Sequence, residues 1–454
     1  MTTPAHYRRV RRWHLLIGLV IAPVLVTLTI TGGLYLFDRE FEGWWFRDYH
    51  SAPAPAQPLA EQEAAVQEAA GRGTITAVSL PRAPGDPAEW SVSDEGGTPW
   101  TVFVDPAKAR VLGWVRDDAR PMQVVRNIHS GLLIGTPGRY VVEAAASWAL
   151  IMIATGLWQW WPRTRTSHGV VKPRLDAGPK IALRDLHAIP AAFLSLILAM
   201  FVLSGLPWSV FWGAQFVKLG AVAPFVAPSP GFGGPPADLR PTGFDAKLPW
   251  PVQHAQMPGM VMPGDPVAGP TGLPQAGIGA AEALLPDLPV ARYGPGIRIR
   301  YPMPGSNLYI VSYTPDHAEG QHTLYVDGTS GKLLRDVVWR DYSLAGQLTE
   351  WGVATHEGRE YGWPNQWFNL LVCVALLSAV IAAVTRYVWR RRHGDPTVPV
   401  ASHDDRMPRG LWWTLLAIAV FSPLVLMTGA VAWSVEAWLE RRKATAGPVR
   451  RRSR

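Results

Sequence analysis

Apolar residues are gathered into five long stretches, at residues 13–37, 139–161, 186–212, 367–389 and 411–433, with polar or Pro/Gly-rich chain between them. About 20 mostly apolar residues cross a hydrocarbon core of about 30 Å, so each stretch is predicted to be a membrane-spanning helix. Tryptophan marks most of the boundaries (Trp13, Trp44, Trp45, Trp160, Trp161, Trp208, Trp212, Trp367, Trp389, Trp412 and Trp413), where an interfacial aromatic belt belongs. The first stretch follows Arg8, Arg9, Arg11 and Arg12, as a secretory leader would. Its apolar run is too long, however, and no small-x-small cleavage site follows before Phe37, so it reads as an anchor that stays.

The pattern between the spans changes to period two. In residues 38–127 a short helix is expected at 60–70, then alternating runs at 89–92 and 100–104. Residues 213–355 hold a helix-like stretch at 276–285 and strand candidates at 296–301 and 307–313, after a Pro/Gly-rich insertion at 224–274 where regular structure is not expected. Val102-Phe103-Val104-Asp105 and Leu324-Tyr325-Val326-Asp327 are each followed by a second apolar run, and each reads as a hairpin with an Asp-led turn. The chain is thus a span, an outer α+β module and a span, then the same again, with one further helix from Leu411 to about residue 438. The expected fold class is an α-helical polytopic membrane protein of about five transmembrane helices carrying two small α+β modules.

Charge sets an expected orientation. Four arginines precede the first span; six Lys/Arg lie in 163–184 and six more in 386–409. If the spans alternate, these segments share one side, which the positive-inside rule makes the cytoplasm. The two modules then face outward. The basic tail at 439–454 falls on the outer side by parity and argues against it. The net charge of +8 comes largely from these loops and the tail, and no aromatic-basic motif points to nucleic acid.

Chemistry enters with the histidines. His129-Ser-Gly131-x-x-x-Gly135-x-Pro137 recurs as His356-Glu-Gly358-x-x-x-Gly362-x-Pro364, and each copy runs into a span. His14 and His187 open the first and third spans, and each is followed eighteen residues later by a glycine, Gly32 and Gly205. Eighteen residues make five turns, so histidine and glycine share a helix face about 27 Å apart. Four ionisable side chains at four span ends are a functional hypothesis by default. Two imidazoles at each of two depths suggest two b-type haems in a four-helix core, with His14 and His187 on one iron and His129 and His356 on the other. Gly32 and Gly205 would leave room for a macrocycle, or simply allow close helix packing. Gly131, Gly135, Gly358 and Gly362 are expected to shape the turn after each histidine. Arg11, Arg12, Arg126, Arg139, Arg184 and Arg359 are placed to meet propionates, although for Arg11 and Arg12 a topological role serves equally.

Other features carry less. His6, His168, His393 and His403 lie in basic loops without matching spacing, and His317 and His322 flank a turn. His254 with Met257, Met260 and Met262 offers donors that suit Cu(I). Cys373 is alone in mid-span and, with no CxxC or CxxCH, excludes an iron–sulfur cluster and covalent haem. Neither basic loop holds a glycine-rich nucleotide motif, so a separate cytoplasmic or quinol donor is implied.

The doubled His-x-Gly frame before a span, the span-plus-hairpin units and the Tyr/Phe-Val-Asp turns resemble the PepSY-associated transmembrane family of iron-regulated membrane proteins, from Arg11 to about Trp438. The resemblance implies a bacterial inner-membrane di-haem reductase that acts on ferric siderophores or other ferric chelates in the periplasm. It also leaves open a non-catalytic protein whose modules bind or restrain a partner, and an iron-chelate permease. The extra span without histidine and the Pro/Gly insertion depart from a simple four-helix member.

Overall fold

The computed structural model describes residues 5–162, 169–222, 277–303, 306–395, 397–399, 407–430 and 434. The Pro/Gly-rich insertion with His254 and its methionines, His168, His403, the end of the fifth apolar stretch and the basic tail lie outside the described residues.

Helices α1 (Ala5–Tyr35), α2 (Asp38–Trp45) and α3 (Leu59–Ala70) precede the first four strands. Then come α4 (Pro121–Gly131), α5 (Gly135–Trp160), α6 (Pro179–Gly205) and α7 (Val210–Val222). Two short helices, α8 (Gly277–Glu282) and α9 (Val290–Tyr293), introduce the last four strands; α10 (Leu344–His356), α11 (Trp363–Arg392) and α12 (Arg409–Phe421) follow them. Among the described residues, four helices are long and apolar enough to cross a membrane, those ending at Tyr35, Trp160, Trp208 and Arg392. This is a multi-pass membrane protein. The fifth apolar stretch is not one straight helix. It breaks after Phe421, and the piece Pro423–Ala430 is bent by 107° from Arg409–Phe421. Pro423 has no N–H to continue the ladder, and Ser422 before it takes an extended conformation.

The chain divides into two compact units, and the division cuts all four long helices. One unit gathers Met1–Thr29, Tyr140–Val202 and Val374–Arg454. It is helical, and its contacts are those of helices meeting: Tyr7 against Trp158, Trp160 against Phe193, and Trp148 against the short piece after Phe421. Asp185, fully buried at the start of α6, takes two hydrogen bonds from the Arg174 side chain and one from its main chain. This fixes the loop before α6 to the helix.

The other unit gathers Ile30–Arg139 and Leu203–Cys373 and contains the eight strands found among the described residues. The sequence implied two separate small modules. Instead the strands β1 (Thr74–Ser79), β2 (Ala88–Ser93), β3 (Pro99–Asp105), β4 (Arg110–Arg116), β5 (Ile297–Arg300), β6 (Leu308–Tyr313), β7 (His322–Asp327) and β8 (Leu333–Val338) form one antiparallel sheet in the order β4-β3-β2-β1-β5-β6-β7-β8. The joint is β1 (Thr74–Ser79) beside β5 (Ile297–Arg300), with Val78 opposite Ile299. Strand β1 goes beyond the strand candidates named from the sequence, although Thr74-Ile75-Thr76 alternates, and its pairing with β5 removes an open edge from each half. Hairpins β3–β4 (Pro99–Asp105 and Arg110–Arg116) and β7–β8 (His322–Asp327 and Leu333–Val338) end the sheet symmetrically, each with an Asp-led turn. One apolar layer runs under both halves: Val78, Trp90, Val102, Val104, Ile299, Val311, Tyr313 and Val326 are covered by Leu59 and Val66 of α3 and by Ile278 and Ala281 of α8. Glu282 of α8 accepts the Leu59 N–H at the start of α3, where no cap residue serves and the helix dipole favours a carboxylate. Each half therefore completes the other.

From both ends of this sheet the chain turns into a short helix that ends near a histidine. After β4 a tight turn leads to Arg120 and α4; Pro121 at its first position supplies a ready helical φ. After β8 a similar turn leads to Ser343, whose hydroxyl accepts the Gly346 N–H and caps α10.

Candidate functional site

The four histidines are held by one recurring device. His14 on α1 has its Nδ1 2.9 Å from Thr155 Oγ1 on α5. Thr155 spends its own hydrogen on the Ile151 carbonyl one turn back, 2.7 Å away, so its oxygen accepts and the His14 Nδ1–H donates. The next residue, Gly156, makes room: a Cβ there would meet His14 Cε1 at 3.2 Å. His129 repeats this geometry on α1. Its Nδ1 is 2.9 Å from Thr31 Oγ1, and a Cβ at Gly32 would meet its Cε1 at 3.2 Å. His356, the last residue of α10, has its Nδ1 3.2 Å from Ser204 Oγ on α6. His187 differs. Its Nδ1 lies 3.0 Å from the Ala379 carbonyl of α11, which only accepts.

In each case Nδ1 has a hydrogen-bond partner, and an imidazole that keeps its proton on Nδ1 carries its ligating lone pair on Nε2. A carbonyl, hydroxyl or carboxylate behind the non-ligating nitrogen is the usual support of a metal-bound histidine. His14 and His187 face each other with ring centroids 6.2 Å apart and planes at 66°. Two imidazole nitrogens about 2 Å from one metal, on opposite sides of it, put the ring centroids roughly 6 Å apart, so this pair fits an iron between them. Among the described residues no three His, Cys, Asp or Glu side chains gather to hold a bare metal ion. Paired imidazoles suit a metal that arrives with its other ligands, as haem iron does.

The glycines divide by role. Gly32 faces the His129 ring, where the sequence reading put a macrocycle, whereas Gly205 has nothing within 4 Å of an added Cβ. Gly135, Gly358 and Gly362 all take positive φ (66°, 79° and 62°) in the turns after the histidines. Gly131 does not; it ends α4, and Leu132 and Leu133 take the left-handed conformation in its place.

The arginines divide too. Arg184 pairs with Asp185 at 3.5 Å. Arg359 is committed to Glu357 at 2.8 Å and to the Pro315 and Asp316 carbonyls at 2.9 and 3.3 Å. Arg126 lies near enough to Tyr35 and Glu357 to act on their charge. Arg139 lies against Gly131, where a Cβ would meet its Cγ at 3.1 Å. Arg386, which the sequence did not single out, is repelled by Arg11, Arg390 and Arg184. Arg11 and Arg184 lie three residues before His14 and His187. Positive charge thus accumulates beside the His14–His187 pair.

A second feature lies in the sheet-bearing unit. A cleft of ≈140 Å³ is lined by Asp38, Glu42, Asp117 and Arg120, with Tyr35 and Gln123 among its other walls. Arg120 bridges Glu42 and Glu89 and rests over Phe46 and Phe103, which anchors the start of α4. Burial raises the Asp38 carboxyl to about 6, against the opposing pull of Arg39.

Sequence reasoning missed Thr155-Gly156 and Ser204 as partners of the histidines. The signal was present: within the predicted spans Thr-Gly occurs at 31–32, 155–156 and 428–429, and its other two copies, at 242–243 and 271–272, fall in the Pro/Gly-rich insertion. The third copy holds no imidazole. Thr428 Oγ1 accepts the Trp148 Nε1–H at 2.8 Å, itself donates to the Leu424 carbonyl, and Gly429 faces the indole at 3.6 Å.

No curated protein matches the chain. The family model of the PepSY-associated TM region does, over residues 11–392, a stretch that takes in all four histidines, both hairpins and the four long helices. By that match the chain belongs to the PepSY-associated TM family.

Proposed function

We propose that this protein is an inner-membrane di-haem b-type reductase that passes electrons across the bilayer to ferric chelates, such as ferric siderophores, outside the cytoplasm. The observation that carries this reading is the His14–His187 pair, facing at 6.2 Å with each Nδ1 engaged elsewhere. His14 and His187 hold one haem, and His129 and His356 the second. Bound haem supplies one-electron chemistry, and two histidines on one iron suit electron transfer over oxygen binding. Arg11, Arg184 and Arg386 supply positive charge for propionates at the first site, which relieves the repulsion among them. The basic segments before His14 and around 163–184 and 386–409 support a cytoplasmic N-terminus, and electrons enter from a separate soluble or quinol donor. Reduction of ferric iron weakens its hold by hard oxygen donors and frees the metal for uptake.

The test is an absorbance spectrum of detergent-purified protein, reduced with dithionite under argon and then mixed with a ferric hydroxamate. The expected result is a pair of b-type bands that the chelate bleaches to the oxidised form. A colourless preparation favours a binding protein or a permease, and bands that the chelate does not reoxidise remove the ferric substrate from the reading.

A further inference from the structure

Three hydroxyls and one carbonyl meet the four imidazoles, two of the hydroxyls with a glycine beside the ring, and a further hydroxyl–glycine pair meets an indole. The indole decides the direction of these hydrogen bonds. Trp148 Nε1–H can only donate, so Thr428, its hydrogen already given to Leu424, accepts. Thr155 is built the same way, with its hydrogen on Ile151 and its oxygen toward His14. The glycine after each threonine lets a flat ring lie against the helix backbone: 3.2 Å separates the His14 and His129 Cε1 atoms from where a Cβ at Gly156 or Gly32 would stand. Ala379 offers His187 an oxygen that cannot donate at all.

We propose that Thr31-Gly32, Thr155-Gly156 and the Ser204 hydroxyl, with the Ala379 carbonyl, are tautomer-fixing seats that hold each imidazole with Nδ1–H donated and Nε2 offered to iron. These are positioning residues and touch no haem themselves. The assignment rests on the haem reading for its purpose but not for its geometry. A neutral imidazole has one proton to place. In a helix bundle, the acceptor beside Nδ1 determines which nitrogen keeps it. Without the seat the ring is free to turn and to hold its proton on Nε2, which removes the ligating lone pair.

The experiment titrates haem-free protein in detergent with haemin, comparing wild type with Thr155→Val, Thr155→Ser and Thr428→Val. Removing a supporting partner behind a ligating histidine costs about 10–100-fold in affinity, so Thr155→Val weakens one of two sites by that factor. It also converts part of that site's low-spin electron paramagnetic resonance signal to high spin. Thr155→Ser, which keeps the hydroxyl, restores both, and Thr428→Val changes neither. Equal affinity and an unchanged signal in Thr155→Val overturn the proposal, as does a loss that Thr155→Ser does not recover. The second measurement needs no haem. Nitrogen-15 shifts of labelled histidine in wild-type apoprotein, assigned by His→Gln variants, report His14 and His129 as Nδ1–H tautomers. Finding them as Nε2–H tautomers overturns the seats. A wild type that takes up no haemin overturns the proposed function instead, and the tautomers of that same protein still decide the seats.

Discussion

The two halves of the chain solve one problem with different parts. In the first half both imidazoles rest on Thr-Gly pairs: α1 gives His14 to Thr155 of α5 and receives His129 of α4 on Thr31. In the second half α6 gives His187 to a bare carbonyl, Ala379, and receives His356 on Ser204. The pattern of exchange is kept while its chemistry is not. What both halves preserve is an acceptor behind Nδ1, which marks that acceptor as the functional requirement and the threonine as one way to meet it. The turns after the histidines show the reverse substitution. Gly135 and Gly362 both take positive φ, but where the second half uses Gly358 in that conformation the first uses Leu132 and Leu133, at about 1–2 kcal/mol each.

The comparison breaks most visibly at the ligands. His14→Ala or His187→Ala is expected to remove one haem of two and leave the other intact, and His129→Ala or His356→Ala to remove the second. Haem counted per chain as its pyridine adduct checks this. Full retention in either His14→Ala or His356→Ala would refute the pairing.

The next largest effect lies at the anchors of the two short helices. Arg120 holds α4 through two carboxylates, and α10 is held by Gln321 donating to Glu350 at 3.0 Å. Arg120→Met strips a largely buried ion pair of one partner, a loss of about 3–5 kcal/mol. Gln321→Ala removes a hydrogen bond that ends on a charged group, about 1.5–3 kcal/mol. Thermal unfolding in detergent should rank them in that order; a Gln321→Ala variant less stable than Arg120→Met contradicts the picture of a charge-anchored first half.

A smaller effect concerns pH. The Asp38 carboxyl rises from 3.8 to about 6 on folding, so the folded state binds more protons between those values. Stability contributed by this group is then fully present below about pH 4 and is lost as pH rises through about 6. Asp38→Asn should flatten that part of the curve. An unchanged slope would show that Asp38 does not titrate in its cleft.

The smallest expected effect lies at the seat without iron. A chain ending at Pro408 should lose thermal stability and still bind two haems. Thr428→Val should cost about 1 kcal/mol, the worth of one neutral hydrogen bond. One haem in folded, truncated protein would place the last helix in a site.

Much of this arrangement was legible in the sequence because it rests on periodicity and repetition. The long helices and the two end hairpins follow from runs of apolar residues and from Asp-led turns. The break at Ser422-Pro423 was legible as well, since a proline within an apolar run ends or bends a helix, but length alone had suggested a span. The pairing of β1 with β5 was not legible. It joins residues more than 200 positions apart, and no local pattern specifies which edges meet. Nor was the partner of each histidine. The spacing of His14 to Gly32 places both on α1, whereas in the structure Gly32 serves His129 and Gly156 serves His14. Ala379 could not have been found at all, because a main-chain carbonyl leaves no mark on the sequence.

Two bis-imidazole sites in one chain are what the proposed function requires. Titration of haem-free wild type with haemin, followed by absorbance and by electron paramagnetic resonance, tests it most directly. Two haems per chain, both low-spin, is the predicted result; saturation at one haem, or no saturable binding, would contradict it.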